Sequence, residues 1–164
     1  MSAVHLNRNG QIVGIRLENP AQLTCFSADM LAQFAPLLDA IETSQARRAL
    51  VTATPEKCSC PGADITGWSG LSPRDFARHW VRSGHRIFDR LARPAQPMFT
   101  LMESHAFGGG LELTCACDLR VMVPGATISL PKTGLGIAPD SSRTQLSRES
   151  SRKWSYKKYH FSDA

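Results

Sequence analysis

The 164-residue chain has no apolar run approaching the roughly 20 residues a membrane helix requires, so no span is expected. Its first ten residues, Met1 to Gly10, alternate polar and apolar side chains and lack the apolar core of a signal peptide. Cysteine is sparse, and the five present form no regular framework; reduced thiols in a cytoplasmic protein are expected rather than a disulfide scaffold. Cys58-Ser59-Cys60 and Cys115-Ala116-Cys117 are too closely spaced for the usual zinc pattern and read as incidental thiols, with no metal expected. No repeat recurs at periods of about 20–50 residues, which excludes a solenoid.

What is present is an ordinary globular composition, 42% hydrophobic and 20% charged. A chain of this length can bury a core without disulfides or a metal. The net charge of +5 is unevenly placed. Arg143, Arg148, Arg152, Lys153, Lys157 and Lys158 face only Glu149 and Asp163 in the final stretch, which therefore carries most of the excess. The chain thus divides into a main unit, residues 1–140, and a basic tail, residues 141–164, expected to be disordered or foreign to the fold. Trp154, Tyr156, Tyr159 and Phe161 lie among those basic residues, but without a fold around them no nucleic-acid partner is expected.

Hydrophobic periodicity sets the order of elements. Residues 11–17 alternate as a strand, ended by Glu18-Asn19-Pro20. Ser27 is placed to cap a helix whose apolar face is Met30, Leu31, Phe34, Leu37, Leu38 and Ile41, with Pro36 expected to kink it. Residues 49–53 form a short apolar strand. Ser72-Pro73 opens a second helix, burying Phe76, Trp80, Ile87, Phe88 and Leu91 and ending at Pro94. Strands over 98–102 and 119–123 flank Gly108-Gly109-Gly110 and a two-turn helix over 111–117. Alternating strands and helices indicate an α/β protein.

Two glycine-rich turns carry the chemistry. Cys60-Pro61-Gly62-Ala63-Asp64-Ile65 follows one strand, and Gly108-Gly109-Gly110 follows another and opens a helix. Glycine permits tight bends and close approach, and the free N–H groups of a helix start attract negative charge. If the turns converge, their N–H groups would form an oxyanion hole, where one donor is worth about 2.7–4 kcal/mol of barrier lowering. Glu112, three residues beyond Gly109, would then sit close enough to move a proton at the adjacent carbon. The plainer alternative is a close-packed strand-to-helix turn with a solvated glutamate. His105 reads as structural, His79 and His85 as surface residues, and Asp64 as a cap or a substrate contact.

The run from Glu103 to Arg120, with Gly62-Ala63-Asp64-Ile65 upstream and Leu130-Pro131-Lys132-Thr133-Gly134-Leu135-Gly136 downstream, resembles the enoyl-CoA hydratase/isomerase (crotonase) family over residues 5–140. The resemblance implies a spiral of ββα repeats, truncated here after the core sheet. It implies acyl-CoA thioester as substrate, with no separate cofactor and no nicotinamide. It makes Ala63 and Gly109 the oxyanion donors and Glu112 one of two catalytic glutamates. Gly62 and Gly108 would shape the turns, while Gly62, Asp64 and Ile65 would line the coenzyme A channel. Arg74, Arg78, Arg82, Arg86 and Arg90 recur every four residues; they read as a solvated face, with coenzyme A phosphates as the alternative.

The pattern breaks at four places. Lys132 stands where hydratases carry their second glutamate, and a lysine of pKa about 10.4 is a poor proton carrier at neutral pH. An ammonium beside Glu112 would also make that carboxylate a weaker base, so hydratase activity below the family norm is expected. Asp140 and Ser104 replace glycines of the pattern. Arg143-Thr144-Gln145-Leu146 is a blurred echo of a further family segment, and beyond it the likeness stops, as in a truncated or frame-shifted product. The family's homotrimer is therefore doubtful. The alternative function is a catalytically impaired relative that binds acyl-CoA weakly or associates with full-length members. Acyl length and reaction direction are not encoded in these motifs.

Overall fold

The computed structural model describes residues 3–19, 25–53, 58–60, 62–68 and 70–130. Strands β1 (Ala3–Asn9) and β2 (Ile12–Glu18) form an antiparallel hairpin, pairing Asn9 with Ile12 across Gly10-Gln11. Gly10 turns with φ +58°, a backbone region where glycine carries no steric penalty. Val13, Ile15 and Leu17 of β2 point into the core, and Ile12 lies exposed at its start. Helix α1 (Ala28–Glu42) then crosses over to β3 (Arg48–Ala53), which lies parallel to β2.

Ser27 caps α1, its Oγ accepting from the Met30 N–H at 3.2 Å. The helix runs through Pro36 without ending. Pro36 and Ala32 both lie on its exposed face, so the carbonyl that loses its intrahelical donor can meet water. Met30, Leu31, Phe34, Leu38 and Ile41 are buried, as the periodicity predicts.

After β4 (Cys58–Cys60), a 3₁₀ turn (Ile65–Trp68) leads to a long helical segment. This segment comprises α2 (Pro73–Asp75), a π-helical turn (Phe76–Val81) and α3 (Arg82–Leu91). Ser72 Oγ accepts from the Asp75 N–H at 3.2 Å and donates to the Asp75 carboxylate at 2.6 Å, closing the N-terminus. The chain continues through β5 (Met98–Met102), β6 (His105–Phe107), α4 (Gly109–Ala116), β7 (Leu119–Met122) and β8 (Ile128–Ser129).

The successive units β1β2α1, β3β4 with α2 and α3, and β5β6α4 are the expected ββα repeats, and β7β8 adds a further pair of strands. One strand of each later pair joins a five-stranded sheet, order β1-β2-β3-β5-β7; the other joins a three-stranded parallel sheet, order β4-β6-β8. The small sheet is absent from the sequence reading, which runs directly from the 98–102 strand to the glycine turn. Strands of two or three residues are too short to show a period. The helix after that turn begins at Gly109, two residues earlier than expected, because its first turn is glycine and carries no apolar signal.

The core lies between the large sheet and helices α1 and α3. Phe26 contacts Phe34 and Phe88 at ring separations of 5.9 and 6.0 Å, with all three rings buried. Phe26 also forms a parallel bridge to Ala63, so the core fixes the first glycine turn.

Candidate functional site

The first turn is held from behind. Phe26 N–H donates to the Gly62 carbonyl at 2.8 Å, and Asp64 N–H donates to the Phe26 carbonyl at 2.8 Å. In an extended chain, alternate backbone groups point to opposite sides, so Ala63 N–H faces away from Phe26. Gly62 has φ +126°, which favours glycine at that position.

The second turn is held by the small sheet. Gly108 N–H donates to the Ser129 carbonyl at 3.0 Å, and the Gly108 carbonyl accepts from the Glu112 N–H at 3.0 Å. Gly108, with φ +47°, is the N-cap of α4. Gly109 is therefore the first helical residue, whose N–H has no intrahelical acceptor.

The two turns abut. A Cβ on Gly109 would lie 3.3 Å from the Ala63 nitrogen, and a Cβ on Gly62 would lie 3.5 Å from the Gly109 nitrogen. With ordinary covalent geometry, the two amide nitrogens are then at most about 6 Å apart, near enough for one oxygen to reach both. No hydrogen bond among the described residues occupies either N–H. The two turns thus meet across 46 residues of chain.

Gly110 locks this approach. A Cβ there would meet the Cys60 Cβ at 2.6 Å and lie closer still to the Cys60 carbonyl oxygen. The third glycine is a packing requirement between α4 and β4, a role that the sequence reading leaves unassigned. The far end of α4 is also tied down. Arg120 donates to the Thr114 and Cys117 carbonyls at 3.0 and 2.8 Å, and Asp118 pairs with the Met98 backbone through both its carboxylate and its N–H. A guanidinium at a helix C-terminus satisfies carbonyls that the helix itself leaves open. Asp118 and Arg120 lie within the family-like run but show no separate signal of this clamp.

Glu112 stands on the first turn of α4 and is 2% exposed, which overturns the alternative of a solvated glutamate. A carboxylate near a helix N-terminus is favoured by the helix dipole. Asp64 Oδ1 accepts from the Thr66 N–H at 3.1 Å and so caps the 3₁₀ turn. Ile65 is 51% exposed beside it, an apolar surface at the mouth of the turn. Lys132 and Pro61 lie outside the described residues, as does the stretch 131–164.

His105 Nδ1 accepts from the Thr127 N–H at 3.0 Å, and its ring stacks on Phe107. Burial raises both Cys115 and Cys117; the latter, whose Sγ donates to the Leu113 carbonyl at 3.6 Å, is pushed up to about 12. Trp68, which the sequence reading does not single out, packs edge-on against Phe76 and Trp80 at 5.0 and 5.1 Å, anchoring the 3₁₀ turn to the π-helical segment. Among the described residues no group of three or more His, Cys, Asp or Glu side chains could hold a metal ion, and no helix is long and apolar enough to cross a membrane.

Comparison with known proteins agrees with this architecture. A protein of Bacillus subtilis (strain 168) named as an enoyl-CoA hydratase/isomerase is 35% identical over 139 residues, covering 84% of this chain and 53% of its own length. The short-chain-enoyl-CoA hydratase of Clostridium acetobutylicum is 29% identical over 150 residues, covering 90% of this chain and 57% of its own length. The crystal structure of enoyl-CoA hydratase from Bacillus anthracis superposes with a TM-score of 0.83 at 27% identity, over 89% of this chain and 57% of that one. The chain spans about half the length of the curated relatives it matches. Residues 7–150 match the family description "Enoyl-CoA hydratase/isomerase". With the ββα spiral and the two abutting glycine turns, this match shows that the chain belongs to the enoyl-CoA hydratase/isomerase family.

Proposed function

We propose that the paired turns bind the carbonyl oxygen of an acyl-CoA thioester, with Ala63 and Gly109 as N–H donors and Glu112 moving a proton at the neighbouring carbon. The observation that carries this reading is the abutment of two separately anchored turns, each offering a backbone N–H with no acceptor among the described residues. As the α-carbon loses its proton, negative charge grows on the thioester oxygen. Donors already in place stabilise that charge without reorganising, which lowers the barrier. Glu112, buried on the helix that opens with Gly109, supplies the carboxylate that takes or returns the proton.

In this reading, Gly62 and Gly108 set the turns, Ile65 offers apolar surface to the bound thioester, and Asp64 holds the first turn in shape. Residues 1–140 form the acyl-CoA-binding unit, and residues 141–164 add a basic tail. The reaction needs no cofactor beyond the thioester, with water as the co-reactant in hydration, and belongs to fatty-acid or related acyl-CoA metabolism in the cytoplasm. Lys132, in place of the second glutamate, lowers hydration relative to a two-glutamate site. It favours a second reading in which the thioester is bound without turnover. Crotonyl-CoA hydration by the wild type and by Lys132→Glu, with calorimetric titration of acetoacetyl-CoA, separates the readings. We expect saturable binding, slow hydration by the wild type and a clear gain on restoring glutamate. Fast wild-type turnover, or no gain in the variant, contradicts the assigned effect of Lys132. Absence of binding contradicts the site.

A further inference from the structure

The long helical segment presents four arginines to which the proposed thioester chemistry assigns no role. Arg74, Arg78, Arg82 and Arg86 are all exposed, and among the described residues none of them forms an ion pair. Nearby acids on the same segment are engaged elsewhere: Asp75 with Ser72 at 2.6 Å and Asp89 with Arg93 at 2.7 Å.

The π-helical turn keeps these arginines in line. In an unbroken α-helix, residues four apart drift by about 40° per step, so such a series would wind well around the axis. Phe76–Val81 has the wider π turn, with i→i+5 bonding, and takes up that drift over the first steps. Past the turn the drift resumes. Arg90, at the end of the series, swings onto α1, where it pairs with Asp39 at 2.7 Å and Glu42 at 3.1 Å. Four cations are left in a column along the segment.

The structure disfavours two kinds of polyanion. The apolar face of the segment is consumed by the core, with Trp80, Ile87, Phe88 and Leu91 buried, so nothing remains to enter a bilayer. The described aromatic side chains of the segment, Phe76, Trp80 and Phe88, are buried or half-buried, leaving no platform on which bases could stack. A helix carrying Asp or Glu at i, i+4, i+7 and i+11 holds its carboxylates in one stripe along a face, which complements such a column and needs no apolar contact. We propose that the Arg74–Arg78–Arg82–Arg86 column is a docking surface for an acidic helical segment of another protein.

The probe is a fluorescent helical peptide of about five turns with glutamates at i, i+4, i+7, i+11 and i+14 on one face, compared with a peptide of equal composition whose glutamates are clustered at one end. With the full chain at low ionic strength, anisotropy should show the spaced peptide binding about tenfold more tightly than the clustered one, with both weakened by salt. Arg78→Glu with Arg82→Glu should abolish the preference, Arg78→Lys with Arg82→Lys should retain most of it, and Arg8→Glu on the distant hairpin should leave it unchanged. Circular dichroism melting checks that each variant folds. Equal binding of the two peptides, no binding, or a preference that survives charge reversal overturns the proposal. So does tighter column-dependent binding of single-stranded RNA or of anionic vesicles. Acetoacetyl-CoA titration is read separately, so failure of the docking surface leaves the thioester site untouched.

Discussion

Three residues carry most of the weight in the proposed site: Gly110, Gly109 and Glu112. Gly110 has no room for a methyl group, because the Cys60 Cβ would lie 2.6 Å from it with the Cys60 carbonyl nearer still. Backbone must shift to accept one, so Gly110→Ala should destabilise the fold by about 1–3 kcal/mol, measured by urea unfolding with an unchanged m-value. A neutral result would show that α4 does not seat on β4 as described. Glu112 is a different case, because glutamine keeps its shape and removes its capacity to carry a proton. Glu112→Gln should retain acetoacetyl-CoA binding and lose about 10²–10⁴-fold in exchange of the substrate α-proton with deuterated solvent. Unimpaired exchange would remove Glu112 from the proposed chemistry.

At the scale of elements, α4 is fixed at both ends, and each end has its own consequence. Its N-terminus carries Gly109, the second donor of the proposed site, and its C-terminus buries Cys117 beneath the Arg120 clamp. Burial raises the Cys117 thiol from 9.0 to about 12. Below pH 9 that thiol is protonated in both folded and unfolded chains. Between pH 9 and 12 only the unfolded chain gives up the proton, so stability must fall as pH rises through this window. Melting temperature should decline across that range, and Cys117→Ala should show a shallower decline, with Cys115, also raised by burial, supplying part of the remainder. An identical slope in the variant would contradict the burial argument. The long helices were legible in the sequence because their buried residues recur with helical spacing, as Met30, Phe34, Leu38 and Ile41 do in α1. The small sheet was not, since β4, β6 and β8 each give at most three residues to a pattern. The π-helical turn was also hidden: a four-residue arginine repeat looks the same in sequence whether or not the helix widens to hold it in line.

Across the whole molecule, the proposed site rests on two distant parts of the chain that are anchored independently and lie against one another. Phe26, itself held in the aromatic core, bonds on both sides of Ala63, while Ser129 of the small sheet holds Gly108. The residue types of both turns could be read directly from the sequence, and so could the family likeness that pairs them. Their contact could not, because it depends on the sheet order bringing β4 beside β6. Cys60 is in register with Ala106 there, two residues before each turn begins. The most direct test of the account is a crystal structure of this chain with acetoacetyl-CoA bound. The account predicts the thioester carbonyl oxygen within about 2.7–3.2 Å of both the Ala63 and Gly109 nitrogens, with the Glu112 carboxylate facing the adjacent carbon. A thioester oxygen bound elsewhere, or touching only one of those nitrogens, would contradict it.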